Sequence, residues 1–198
     1  ELVGWYTEGS PTTLRGFTKR FPKAKRFTDP RSLLEDPDIK VILTSAVPND
    51  RAKISISAMK HGKDVMSDKP GCLSFGDLEE LRQTVQRTGR VWSVDFSERF
   101  EVPAVTLASQ LVSDGAIGDV IHTLGLGPHR LNPGSRPNWF FDPNQNGGIL
   151  ADIGSHQIDQ FLYFTKSENA EITLASIRNM GHQEFANFSD FGEIALRS

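Results

Sequence analysis

The segment Gly147-Gly148-Ile149-Leu150-Ala151-Asp152-Ile153-Gly154-Ser155-His156-Gln157-Ile158-Asp159 gathers the residue types of acid–base chemistry. Asp152, His156 and Asp159 are spaced i, i+4, i+7, which predicts that they share one helical face. A carboxylate beside an imidazole sets its tautomer and its pKa. Such a pair can move a proton to or from a substrate hydroxyl. Gly147 and Gly148 allow the backbone to approach a ligand closely. The same spacing also fits a solvated polar face, with Ile149, Ile153, Ile158, Phe161 and Leu162 supplying the buried side.

Asp68-Lys69-Pro70-Gly71 is the second cluster. Pro70 biases Lys69 toward an extended backbone, so its ammonium should project from the carboxyl end of a strand. A lysine held there can stabilise negative charge developing on a substrate oxygen. In the long loop, Trp139-Phe140-Phe141-Asp142 is expected to line a pocket or to pack as core, and His129 and Arg130 lead into the same loop. Cys72 reads as packing. His61, His122 and His182 have no partners in sequence, and Lys23–Arg26 reads as a solvated helix end. No G-x-G-x-x-G occurs, although a dinucleotide site normally uses that turn after its first strand. Asp152 and His156 also offer donors for a divalent ion in a lyase or isomerase, but the spacing names no third ligand.

The elements that must position these groups alternate in the first half. Leu2–Thr7, Lys40–Thr44, Asp64–Ser67 and Val91–Val94 read as strands. Helices are predicted over Thr12–Phe21, from Ser32 to the stop at Asp36-Pro37, from Pro48 to about Lys60 with Gly62 beyond, and from Ser74 to Thr88. Ser74 is the predicted N-cap, and Gly89 the stop. Lys40–Thr44 is apolar enough for a parallel strand covered on both faces. This pattern implies βαβ units around a parallel sheet, with ligands at the strands' carboxyl ends. Thr44–Pro48, Ser67–Pro70 and Asp95–Arg99 fall there.

The second half reads as α+β. Pro103–Gly115 is a predicted helix burying Val105, Leu107, Ala108, Leu111 and Val112. Val120–Gly127 is a predicted strand, Pro128–Gly148 a loop, Ile149–Phe164 a helix and Glu171–Arg178 a strand. The fold class is therefore α/β, a Rossmann-like parallel sheet followed by an α+β domain with an open, mainly antiparallel sheet. The expected domains are 1–98 and 99–198.

The chain has 198 residues and 22 Lys and Arg against 25 Asp and Glu, a net charge of −3. That balance argues against a nucleic-acid binder relying on a basic surface. No apolar run reaches the roughly 18–20 residues of a membrane span, and the N-terminus lacks the pattern of a signal peptide. A single cysteine permits no internal disulfide, and a cytoplasmic location is the expectation. Both ends break into apolar, β-rich runs, so a fragment of a longer chain is expected.

Together these motifs resemble the glucose–fructose oxidoreductase / inositol dehydrogenase / MocA (Gfo/Idh/MocA) family. Asp68-Lys69-Pro70 is similar to its Glu-Lys-Pro signature, and the glycine pair with Asp152-x-x-x-His156-x-x-Asp159 to its second signature. The run Lys60–Val65 and the segment Ser97-Glu98-Arg99-Phe100 also resemble the family. The resemblance implies an NAD(P)-dependent oxidoreductase acting on a sugar, polyol or related hydroxy compound. Lys69, Asp152 and His156 match the catalytic residues. His156 would take the hydroxyl proton, Lys69 would polarise the oxygen, and Asp152 would hold the substrate or His156. Thr44, Val47, Pro48 and Asn49 match the cofactor-facing loop, with Asp68 and Lys69 beside the nicotinamide ribose. Asp68 is shorter than the family's glutamate. Glu8 favours NAD over NADP. Trp139 and Arg99 are expected to reach the substrate, no metal is expected, and a homodimer or homotetramer is implied. A non-catalytic sugar-binding relative is the alternative.

Overall fold

The computed structural model describes residues 1–198. A parallel three-stranded sheet positions the first cluster. Its strands are β3 (Val41–Thr44), β4 (Asp64–Asp68) and β5 (Trp92–Asp95), ordered β3-β4-β5. The crossovers are α3 (Pro48–Lys60) and α4 (Phe75–Thr88), which pack on one another. Each helix starts and stops where local chemistry dictates. Pro48 opens α3, where a missing N–H costs nothing. Ser74 caps α4 by accepting from the Asp77 N–H at 3.0 Å. Gly89 ends α4 in the left-handed region, φ 65°. The core joins Ile42, Ala52, Ile56, Met59, Val65 and Leu81 between sheet and helices.

Ahead of this sheet lie β1 (Gly4–Trp5), α1 (Pro11–Arg20), β2 (Lys25–Arg26) and α2 (Pro30–Glu35). The strand predicted over Leu2–Thr7 contracts to two residues, because its partner offers only Lys25 and Arg26. That partner lies in the run read as a helix end. Its side chains are solvated as expected, but its backbone is a strand. The double coverage expected for β3 is not found. Ile42 and Thr44 are buried against the core, whereas Val41 and Leu43 are exposed, because α3 and α4 both pack against the core on the Ile42 side.

The second half begins with α5 (Ser97–Phe100) and α6 (Pro103–Ser113). Helix α6 buries less than its periodicity predicted, since Leu107 and Leu111 are exposed and no residue of it is fully buried. Val120–Gly127 is not a strand. Strand structure requires a hydrogen-bonded neighbour, and none pairs with it here. The segment instead runs against the π-turn and α8 (Ser155–Thr165), where a Cβ on Gly125 would meet Gln157 at 2.8 Å and one on Gly127 would meet Ile153 at 2.9 Å. Its Ile121 is 95% exposed. The loop that follows contains two 3₁₀ turns and α7 (Pro143–Asn146). The helix predicted over Ile149–Phe164 divides into a π-turn, Leu150–Gly154, and α8. The antiparallel pair β6 (Glu171–Arg178) and β7 (Phe191–Arg197) completes the chain. No helix is long and apolar enough to cross a membrane.

Candidate active site

Strand β4 is the central strand of its sheet, and residues at its carboxyl end line a cavity. Asp68 ends the strand and Lys69 follows it. Asp68 Oδ1 accepts from the Lys69 N–H at 2.8 Å, which fixes the turn locally. The Lys69 ammonium then crosses to the second half of the chain. It donates to Asp152 Oδ1 at 2.8 Å and to the Asp152 carbonyl at 2.5 Å. The two side chains are 16% and 22% exposed, so the pair is largely withdrawn from water.

Asp152 stands in the π-turn and His156 is the second residue of α8. π-turns within helices recur at functional sites because they break the regular backbone ladder. The polar face read from the sequence is not solvated. His156 is 4% exposed, and its Nδ1 is buried without a hydrogen-bond partner. That leaves Nε2 as the nitrogen available to a ligand. Burial pushes the imidazole below its ordinary value of 6.5. Lys69 and His129 push in the same direction, and Glu98 and Asp152 oppose them. A histidine kept neutral near pH 7 is competent as a base. Asp159 does not join this group. Its carboxylate holds Arg99 in a fork, at 2.5 Å to Nε and 2.9 Å to Nη2.

A cavity of about 230 Å³ lies where the strand ends meet the long loop. Of the predicted residues, Pro48, Asp68, Lys69, His129, Trp139, Phe140 and Asp152 line it. Thr44 is buried nearby, its hydroxyl accepting the Ala46 N–H at 3.4 Å. Val47 precedes α3 as its N-cap, and Asn49 sits in the first turn. His156 does not line the cavity, although Lys69 and Asp152 on its wall are close enough to shift its titration. Arg99 is committed to Asp159 and stacks on Phe100 and Tyr163. Glu8 accepts the Tyr6 hydroxyl at 2.6 Å and lies outside the cavity. Cys72 packs as expected, and burial raises its thiol above the ordinary 9.0. His182, read as unpartnered, meets Glu184 at 3.2 Å. Arg130 is exposed.

The sequence reading missed Arg51, Asn146 and Arg136, all on the cavity wall. Arg51 adjoins Ala52 in sequence but stands off the stripe of Ala52, Ile56 and Met59 on α3, so no periodic signal marked it. Asn146 is buried, donating to the Phe140 carbonyl and accepting the Gly148 N–H at 2.6 Å. Its position just before the glycine pair was the available signal. The metal alternative finds no support in this geometry. Asp152 is held by Lys69 and Asp159 by Arg99, and no three His, Cys, Asp or Glu side chains gather around one point.

Two family models match this chain. Residues 1–96 match the model described as "Oxidoreductase family, NAD-binding Rossmann fold". Residues 105–197 match that of the "GFO/IDH/MocA C-terminal domain". Levoglucosan dehydrogenase of Pseudarthrobacter phenanthrenivorans is 32% identical over 160 residues, which is 79% of this chain and 40% of that protein. The scyllo-inositol 2-dehydrogenase (NAD(+)) of Bacillus subtilis is 30% identical over 159 residues, 80% of this chain and 43% of that protein. A crystal structure from Erwinia carotovora atroseptica superposes with a TM-score of 0.95 at 38% identity, covering 99% of this chain and 58% of that one. The chain thus spans about 40% of the length of the curated relatives it matches.

Proposed function

The chain belongs to the Gfo/Idh/MocA family of oxidoreductases, and on that premise we propose that it carries the catalytic face of an NAD(P)-dependent dehydrogenase. The reaction would move a hydride between the nicotinamide and a hydroxyl-bearing carbon of a sugar or polyol. The observation that carries this reading is the Lys69–Asp152 pair, which joins the parallel-sheet crevice to the π-turn beside His156.

The residues present fit the nicotinamide end of the cofactor. Asp68 lines the cavity with its side chain 44% exposed, so carboxylate lone pairs remain for a ribose hydroxyl. The cavity of about 230 Å³ is below the roughly 300–1,000 Å³ of a complete small-molecule site, which suits the reacting end alone. When bound, the dinucleotide supplies the hydride acceptor or donor. The protein's own part is to place and deprotonate the alcohol. Lys69 donates to the carbinol oxygen and stabilises the charge that builds there. His156, neutral through burial, accepts the hydroxyl proton at Nε2. Asp152 holds the ammonium in place through its carboxylate and its carbonyl. Trp139 offers an apolar ring face to the sugar.

The test is a titration of the full-length protein with NADH and NADPH, followed by turnover on a panel of sugars and polyols. Lys69→Met and His156→Asn should lose turnover and retain dinucleotide binding. A protein with no affinity for either dinucleotide would overturn the proposal. NAD is the preferred form in this reading, with Glu8, three residues beyond β1, as the acid that would meet the 2′-hydroxyl. The domain division falls at 98/99. Assembly as a homodimer or homotetramer through the exposed apolar residues Ile172, Leu174 and Ile177 of β6 is part of the same proposal, and sedimentation would test it. A reducing, cytoplasmic setting accords with the unpaired Cys72.

A further inference from the structure

The buried guanidinium of Arg51 is the largest polar commitment at this site that the proposed chemistry leaves unused. Arg51 is the fourth residue of α3, and helical side chains lean toward the N-terminus. The guanidinium therefore reaches back to the carboxyl ends of β3 and β4. It is 5% exposed. A cation buried that far must satisfy its donors within the protein. Four of the five N–H groups are accounted for by four acceptors. Nε donates to the Ala46 carbonyl at 2.7 Å. Nη1 serves the carbonyls of both Lys69, at 2.5 Å, and Pro70, at 3.2 Å. Nη2 donates to Asp68 Oδ2 at 3.1 Å.

Three of these four acceptors lie on residues 68–70, the stretch that carries Lys69. The fourth belongs to the loop after β3. Helix α3 needs no cation to stay docked, because Ala52, Ile56 and Met59 already bury its inner face. Burial pulls the guanidinium below its ordinary range, and the Asp68 and Asp152 carboxylates oppose that pull. A lysine could not substitute. Its donors radiate from one nitrogen and cannot span the distance from residue 46 to residue 70 as a planar fork does.

We infer that Arg51 is a positioning residue, whose guanidinium ties the backbone of Lys69 and Pro70 and the carboxylate of Asp68 to the loop after β3, and so aims the Lys69 ammonium. The inference rests on the role proposed above for Lys69. Its effect on catalysis runs through placement alone. A misplacement of about 1 Å costs on the order of 100-fold in rate.

The experiment uses Arg51→Lys and Arg51→Gln in the full-length protein, with circular dichroism as the check on folding. The first readout is the rate of Lys69 acetylation by N-hydroxysuccinimidyl acetate, followed by peptide mass spectrometry with exposed Lys60 as the internal reference. This readout needs neither cofactor nor turnover. The second is the split between kcat and KM. The expected result is Lys69 acetylation at least about 5-fold faster in both variants. With it should come a kcat lowered about 10- to 100-fold and a dinucleotide KM within about 3-fold of the parent. Arg51→Lys should give no substantial rescue. Folded variants that acetylate Lys69 at the parental rate would overturn the inference, and so would faster acetylation with an unchanged kcat. If Arg51→Gln does not fold, Arg51→Lys, which keeps the charge and the apolar stem, decides alone. If the parent protein turns nothing over, the function proposed above fails, and acetylation still decides whether Arg51 positions Lys69.

Discussion

Exchanging Lys69 for Met and Asp152 for Asn, singly and together, measures the contact that closes the site. Their charged atoms lie 2.8 Å apart, with side chains 16% and 22% exposed. At an effective dielectric near 20, the gross Coulomb attraction at that distance is about 6 kcal/mol. Desolvating both groups offsets most of it. A fully exposed pair would retain only about 0–1 kcal/mol. This pair is mostly buried and has the Asp152 carbonyl as a second acceptor, so a coupling energy of about 1–2 kcal/mol is expected. Asp152→Asn leaves the ammonium with neutral acceptors, and Lys69→Met leaves a half-buried carboxylate without a cation. Each single change should lower the thermal midpoint by roughly 2–8 °C for a unit of this size. The double variant should lose less than the sum of the two. Urea unfolding of the four proteins gives the coupling energy directly. A value below about 0.3 kcal/mol, the scale at which independent sites add, would refute the pair as an energetic contact. Turnover is the second arm. Asp152→Asn should lower kcat on the order of 100-fold while the fold persists, because the ammonium loses its aim. A folded Asp152→Asn protein with parental kcat would refute the functional half of the argument.

Three other perturbations test separate parts of the structure. Gly147→Ala should destabilise by about 2–3 kcal/mol, because Gly147 sits at φ +86° and a Cβ there would meet Leu73 at 2.5 Å. Gly134→Ala, with open space around it, should stay within about 0.5 kcal/mol, and urea midpoints compare the two. His156 is held below its ordinary 6.5, so the unfolded chain takes up a proton there before the folded one does. Stability should be level in pH above about 6.5 and decline as pH falls below it, and His156→Asn should remove that part of the slope. The acid limb of kcat/KM for alcohol oxidation should likewise fall below pH 6.5, and a limb at or above 6.5 would contradict a buried neutral base. Arg99→Lys breaks the fork to Asp159 and should cost about 1–2 kcal/mol with KM for the sugar unchanged. A raised KM would return Arg99 to the substrate.

Much of the fold was legible locally. Ser74, Gly89, Pro48 and the Asp36-Pro37 stop bound helices through the chemistry of their own side chains and backbones, so their positions need no tertiary information. The strands β3, β4 and β5 were legible as short β-rich runs between those helices. What periodicity could not supply was coverage. Val41, Leu43, Leu107 and Leu111 have the pattern of buried residues but are exposed, because burial depends on what packs opposite. Val120–Gly127 has a strand's composition without a strand's partner. The two residues of β2 have little β propensity and pair only because β1 lies beside them.

The candidate site divides in the same way. Its chemical groups were present in the one-dimensional pattern: a lysine fixed before a proline, and an aspartate and histidine four residues apart behind two glycines. Sequence alone determined which residues could do acid–base work and roughly where each would stand on its own element. Tertiary structure decided which of them meet. Lys69 finds Asp152 across 83 residues of chain, Arg99 removes Asp159 from the group, and Arg51 becomes the brace of the lysine turn. The reason is that local rules act through neighbours in the chain, over about one helical turn or one strand pair. Burial, charge pairing and the titration of His156 depend instead on distances between elements, which the packing of the whole chain sets.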